Sequence, residues 1–239
     1  VSHTVAEALA WAADGAAHLR GLMVRLGDEA FAAPCALPGW SRAHLLTHIA
    51  RNADAMINLL TWARTGTVTP AYASREQRDA DIAAGARRSP AEIRDDVVET
   101  SDKLAKAVKA MPASAWSATV RNVAGQEVPA SEIPWLRARE MWIHAVDLDV
   151  GASFADLPAP MMYDLLTEVT ETLAQMPDAP AVRLIATDHD QEWSVGPAAG
   201  AVSVRGPVAD LVGWALGRTR SRSLRADDSR PLPELPLWI

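Results

Sequence analysis

The chain has 239 residues, long enough for one large domain or two small ones, and 49% are hydrophobic, which suits a packed core and argues against extensive disorder. A net charge of −7 disfavours nucleic acid and anionic membrane surfaces, so neither is expected as a partner. The lone cysteine, Cys35, rules out an internal disulfide framework; with no signal-like N-terminus and no apolar run of bilayer length, a cytoplasmic protein is expected.

Apolar residues recur at helical spacing through residues 4–26, from Val5 and Leu9 to Met23 and Leu26, and Gly27-Asp28 can end this first helix. Leu37-Pro38-Gly39-Trp40 reads as a turn, and Ser41 as the N-cap of a second helix running to about Thr65-Gly66. A loop over 67–73 leads to a polar, weakly helical stretch, 75–86, suited to covering one end of a bundle. Ser89-Pro90 with Glu92 starts a third long helix, which Pro112 follows. Residues 120–128 read as a short hairpin or a loop. A fourth helix is expected from about 130 to 150, with Gly151 as its C′ residue. Four long amphipathic helices point to an antiparallel bundle, whose interior is a natural place for a metal. After Gly151 the pattern changes to a helix over 161–175, short alternating runs read as a small antiparallel sheet, a helix over 207–216 and a Pro-rich tail. The expected architecture is therefore mainly α within an α+β whole: a bundle over 1–151 and a smaller α/β domain over 152–239.

The stretch Arg139-Glu140-Met141-Trp142-Ile143-His144 organises the functional reading. Glu140 and His144 are four residues apart, so on a helix they project from one face and can hold one zinc-like ion. The obvious third donor is His48, and two histidines with one glutamate leave coordination positions open, as a catalytic site needs. Asp147, three residues after His144, can accept a hydrogen bond from an imidazole, and His44 is either a surface residue or a partner behind a ligand. Asn52 shares the His48 face and can orient a ligand or cap the polar interior. Arg218, with Arg220, Arg222 and Arg225, forms a basic cluster that is either a solvated loop or a fork for a carboxylate, a duty for which Arg78 is a weaker candidate. Cys35 has no histidine or cysteine beside it and reads as a bystander. No Gly-rich phosphate loop, Cys-x-x-Cys or Gly-x-Ser-x-Gly motif is present.

The run from Leu37-Pro38-Gly39-Trp40 to Asn52, together with Arg139 to Leu148, strongly resembles the mycothiol-dependent maleylpyruvate isomerases, a family of DinB-like metal-binding bundles. The resemblance extends to Pro129-Ala130-Ser131-Glu132, Gly217-Arg218 and the Pro-rich tail. It implies zinc held by His48, Glu140 and His144, an essential arginine at Arg218, and a C-terminal domain similar to sterol-carrier folds. It further implies conversion of maleylpyruvate to fumarylpyruvate with mycothiol, or another low-molecular-weight thiol such as ergothioneine, as cofactor. On this reading the partners are a dicarboxylate substrate and the thiol, the site lies between the domains, and the protein is a monomer. The alternatives are a thiol S-transferase acting on another electrophile and a non-catalytic small-molecule-binding module.

Overall fold

The computed structural model describes residues 2–219, 222–227 and 230–238. It divides into two compact units, one of Thr4–Ala152 and a second that begins at Ser153 and takes in Ser2 and His3. The first unit is mainly helical: α1 (Val5–Val24), α2 (Arg42–Thr65), α3 (Arg75–Gly85), α4 (Pro90–Lys109) and α5 (Ile133–Asp147). Three starts carry reciprocal capping boxes, Thr4 with Glu7, Ser41 with His44 and Ser89 with Glu92, so the first turns find partners for their otherwise orphaned N–H groups. Gly66 closes α2 in the left-handed conformation, φ 74°.

α1 packs along α5 and α2 along α4, with α2 also meeting α5. Two apolar clusters share α2, one using Leu45, Leu46 and Ile49, the other Met56, Leu59 and Leu60. That helix is thus buried over most of its length, and the polar residues it carries inward, His48 and Asn52, sit between two dry layers. The α1–α5 crossing depends on Gly15, where a Cβ would come within 2.8 Å of both Met141 Cβ and Trp142 Nε1. Trp142 Nε1 is already engaged, donating to Trp11 O at 2.9 Å. Gly15→Ala should therefore lower stability by about 1–3 kcal/mol through overpacking, outweighing the better helix propensity of alanine. A urea midpoint equal to or above that of the parent chain would show that the crossing has slack.

The segment after α4 forms a hairpin, β1 (Thr119–Arg121) against β2 (Glu127–Pro129), where the sequence left hairpin and loop both open. A 3-10 turn over Ala130–Glu132 precedes α5. α5 ends earlier than the expected 150: its C-cap is Leu148, and Asp149, not Gly151, takes the left-handed position that follows, φ 55°. A short acidic side chain tolerates that conformation better than most, so a glycine was not required there.

The second unit holds α6 (Ala159–Leu173), α7 (Val208–Ala215) and a four-stranded sheet in the order β4 (Glu192–Val195), β3 (Val182–Ala186), β5 (Val202–Gly206), β6 (Arg225–Ala226). The sheet is mixed rather than antiparallel, because β3 and β5 run parallel. Gly196 and Gly200, with φ of 70° and 81°, turn the chain between β4 and β5 so that it reaches the opposite edge of β3. β6 was not anticipated, since two residues are too short to show alternation. Ser2 and His3 are fastened to α6. The Ser2 backbone N–H and hydroxyl donate to Asp164 Oδ1, each at 3.0 Å. His3 meets Oδ2 through its backbone N–H at 3.1 Å and Nδ1 at 2.7 Å. No helix among the described residues is long and apolar enough to cross a membrane.

Candidate metal centre

α2 and α5 bring His48, Glu140 and His144 together. One Glu140 oxygen, Oε2, lies 2.9 Å from His48 Nε2 and 3.2 Å from His144 Nε2. One ligand atom from each residue falls within 4.8 Å of the others. Glu140 and His144 meet because four residues make one helical turn, and His48 joins them because the α2–α5 seam carries it inward. His48 is buried, whereas Glu140 and His144 are half-buried, so the trio has an open side. Two imidazole nitrogens and a carboxylate oxygen form a donor set suited to a zinc-like divalent ion, and three donors leave a position for an exchangeable group.

The neighbours hold the rings in place. Asp147 Oδ2 accepts from His144 Nδ1 at 2.9 Å, which turns Nε2 toward Glu140. The Trp40 ring meets His48 edge-on, 5.6 Å between centroids. Arg78 Nη2 stands 3.4 Å from His48 Nδ1, while its Nη1 pairs with Asp79 at 2.7 Å. Its guanidinium also lies over the Tyr72 ring, 5.9 Å from the centroid.

Charge is unevenly spread over this group. Burial and the two flanking histidines act in opposite senses on Glu140, and the histidines prevail, holding its carboxyl well below the usual range. Burial dominates at His48 and pulls its pKa down despite Glu140, so the ring is neutral. A tautomer with the proton on Nε2 then donates to Glu140 and leaves Nδ1 to accept from Arg78. At His144 burial is outweighed by the hydrogen bonds and charges of Asp147 and Glu140, and the pKa is pushed up to about 9. Burial, then Glu140, push the Tyr72 phenol up to about 12.

The proton on His144 competes with a metal, because a ligating imidazole must be neutral. Zinc affinity should therefore rise by about tenfold per pH unit between neutrality and pH ~9, then level off. Chelator competition at a series of pH values measures this, and a flat profile would mean that His144 is already neutral at pH 7. The raised pKa also has a sign for stability. In metal-free protein its contribution is complete below the unfolded value near 6.5 and is lost as pH rises through about 9.

The other sequence candidates have partners of their own. His44 is committed to the start of α2, with Nδ1 2.7 Å from Ser41 Oγ. Asn52 Oδ1 accepts from Arg137 Nη1 at 2.8 Å, so it anchors a buried arginine one turn from the triad. Arg218 belongs to the second unit. There it is half-buried after the left-handed Gly217, φ 69°, with Nη1 donating to Leu216 O at 3.1 Å. Arg222 is exposed and Arg225 lies in β6; Arg220 lies outside the described residues. Cys35 is partly buried, and burial pushes its thiol pKa up, the opposite of a reactive cysteine. Three neighbours of the site escaped sequence reasoning: Trp40, read only as a turn residue; Tyr72, in a loop without periodicity; and Arg137, considered only as an ion-pair partner for Glu140. Arg137 instead reaches across to α2, where Nη1 also donates to Ile49 O at 3.0 Å. Its position three residues before Glu140 was the available signal, because it puts a charge on the buried face.

Comparison with known proteins covers both units. The family model for the mycothiol maleylpyruvate isomerase N-terminal domain matches residues 12–149, and the model for the family's C-terminal domain matches residues 156–237. The chain is similar to the crystal structure of the mycothiol-dependent maleylpyruvate isomerase, with 33% identity and a TM-score of 0.93 over 99% of this chain and 98% of that one. A histidine-to-alanine mutant of that isomerase matches with 33% identity and a TM-score of 0.92 over the same shares. No curated protein matches the chain.

Proposed function

The chain belongs to the mycothiol maleylpyruvate isomerase family, and from that premise we propose that it converts maleylpyruvate to fumarylpyruvate with a low-molecular-weight thiol as cofactor. The observation that carries this reading is the convergence of His48, Glu140 and His144, with Asp147 orienting His144. His48, Glu140 and His144 would hold a divalent ion, which would supply Lewis acidity that favours the thiolate form of a thiol. The thiol sulfur adds to the cis double bond conjugated to the ketone, the resulting single bond rotates, and expulsion of the thiol leaves the trans product. The thiol returns unchanged and is needed only in catalytic amounts.

The chain's own residues have distinct duties in this scheme. Glu140, His48 and His144 bind, and Asp147 keeps the His144 ring from turning. Trp40, edge-on to His48, packs against one side of that ligand. Arg78, already beside His48, is a cation for a substrate carboxylate or for the developing enolate. Arg218 is proposed as the fork that holds a carboxylate of the substrate dianion. Partly buried Cys35, with its raised pKa, has no part in the chemistry. A reducing cytoplasm suits both a free cysteine and a thiol cofactor.

The test is an assay on maleylpyruvate with mycothiol and ergothioneine supplied separately, following both fumarylpyruvate and the thiol. Fumarylpyruvate formed with full recovery of one thiol is the expected result. Consumption of the thiol into a stable adduct would make the protein a transferase, and no reaction with either thiol would remove the isomerase reading.

A further inference from the structure

The first unit has a second opening that the metal chemistry does not use. α1 and α4 barely touch, and between them lies a cavity of about 250 Å³. Its walls are almost wholly apolar, formed by Ala12 and Ala16 of α1, Leu104 and Val108 of α4, and Met56 and Leu60 of α2. A shallower groove continues along the same seam past Ala13 and Ala105.

Two cations break the apolar lining. Lys109 is exposed and makes no ion pair among the described residues. Arg137 is only 4% exposed, and while its Nη1 is doubly used, its buried Nη2 has no hydrogen-bond partner among the described residues. Burial lowers the Arg137 pKa to about 10, which still leaves it charged at neutral pH. A buried charge with an unused donor is expensive to keep and calls for an acceptor. A ligand entering from the cavity would provide one.

We propose that the α1–α4 cleft binds a small amphiphilic carboxylate. Its carboxylate engages Arg137 at the cavity wall, its apolar body lies along the alanine and leucine walls, and Lys109 adds attraction at the rim. Charge complementarity selects the occupant: in a chain of net charge −7, this apolar cavity carries two cations and no carboxylate in its lining. Arg137 links this cleft to the triad's helices, because it precedes Glu140 by three residues and holds Asn52, four residues after His48.

Octanoate is the probe, with octanol as its uncharged counterpart, titrated calorimetrically into the zinc-loaded full chain. Octanoate should bind, and octanol should bind at least tenfold more weakly. Ala105→Leu, at an exposed position that narrows the seam without touching Arg137, should weaken octanoate at least tenfold, as should Arg137→Met. Should Arg137→Met fail to fold, Lys109→Ala tests the charge, with a loss of about threefold expected. Equal binding of octanol, or no heat with octanoate, would overturn the proposal. So would octanoate binding that survives Ala105→Leu but disappears with the zinc, since the carboxylate would then be sitting on the triad.

Discussion

His48→Ala should empty the metal centre and abolish turnover while the helices remain. His48 is the only ligand from α2; without it, Glu140 and His144 are left as a single-helix pair with one face of the ion unheld. Losing a partner that merely orients a ligand already costs 10–100-fold in affinity or activity, and losing a ligand costs more. The fold should survive, because α2 is anchored on both sides of His48 by Leu45, Leu46 and Ile49 and by Met56, Leu59 and Leu60. Zinc per chain, far-ultraviolet circular dichroism and turnover of one preparation check all three statements. Parent-like zinc content with parent-like turnover would refute the centre, and collapse of the helical signal would make His48 a core residue first.

Arg218→Ala and Arg218→Lys should both lower turnover by tens to thousands of fold with zinc content unchanged. The proposed substrate, maleylpyruvate, is a dianion, and Arg78 beside His48 can meet only one of its two carboxylates, so the other calls for a second cation. Removing one member of a desolvated charge pair costs roughly 2–5 kcal/mol, which converts to that range of rates. Lysine should rescue poorly, because an ammonium cannot reproduce the planar fork of a guanidinium. Near-normal turnover in both variants would confine the chemistry to the helical unit and leave Arg218 as a residue that closes the end of α7 through Leu216 O.

The helical unit was legible because its signals are local. Ser41 and Ser89 announce their helices through side chains only three residues from their partners, and the spacing of Glu140 and His144 follows from helix pitch. His48 could be paired with them because a histidine on an apolar face invites a partner. What escaped depends on distant parts of the chain. The parallel pairing of β3 with β5 is set by which edge the chain reaches after β4, and no alternation pattern encodes an edge. The early end of α5 turned on Asp149 adopting a conformation usually assigned to glycine. Arg137 lies on a recognisable face, but its acceptors, Ile49 O and Asn52 Oδ1, are 88 and 85 residues away, and only packing brings them within reach.

The fastening of Ser2 and His3 to Asp164 sets an order on synthesis. Asp164 is 161 residues beyond His3, so Ser2 and His3 leave the ribosome long before their partner exists. At typical elongation rates the wait is on the order of 10–30 s, ample for α1 to α5 to find one another meanwhile. The second unit is thus discontinuous along the polypeptide, and cutting after Ala152 separates Asp164 from Ser2 and His3. The piece beginning at Ser153 would keep its sheet and helices but carry a buried carboxylate stripped of these donors. Supplying a short peptide that contains Ser2 and His3 should raise its melting temperature by restoring those donors to Asp164.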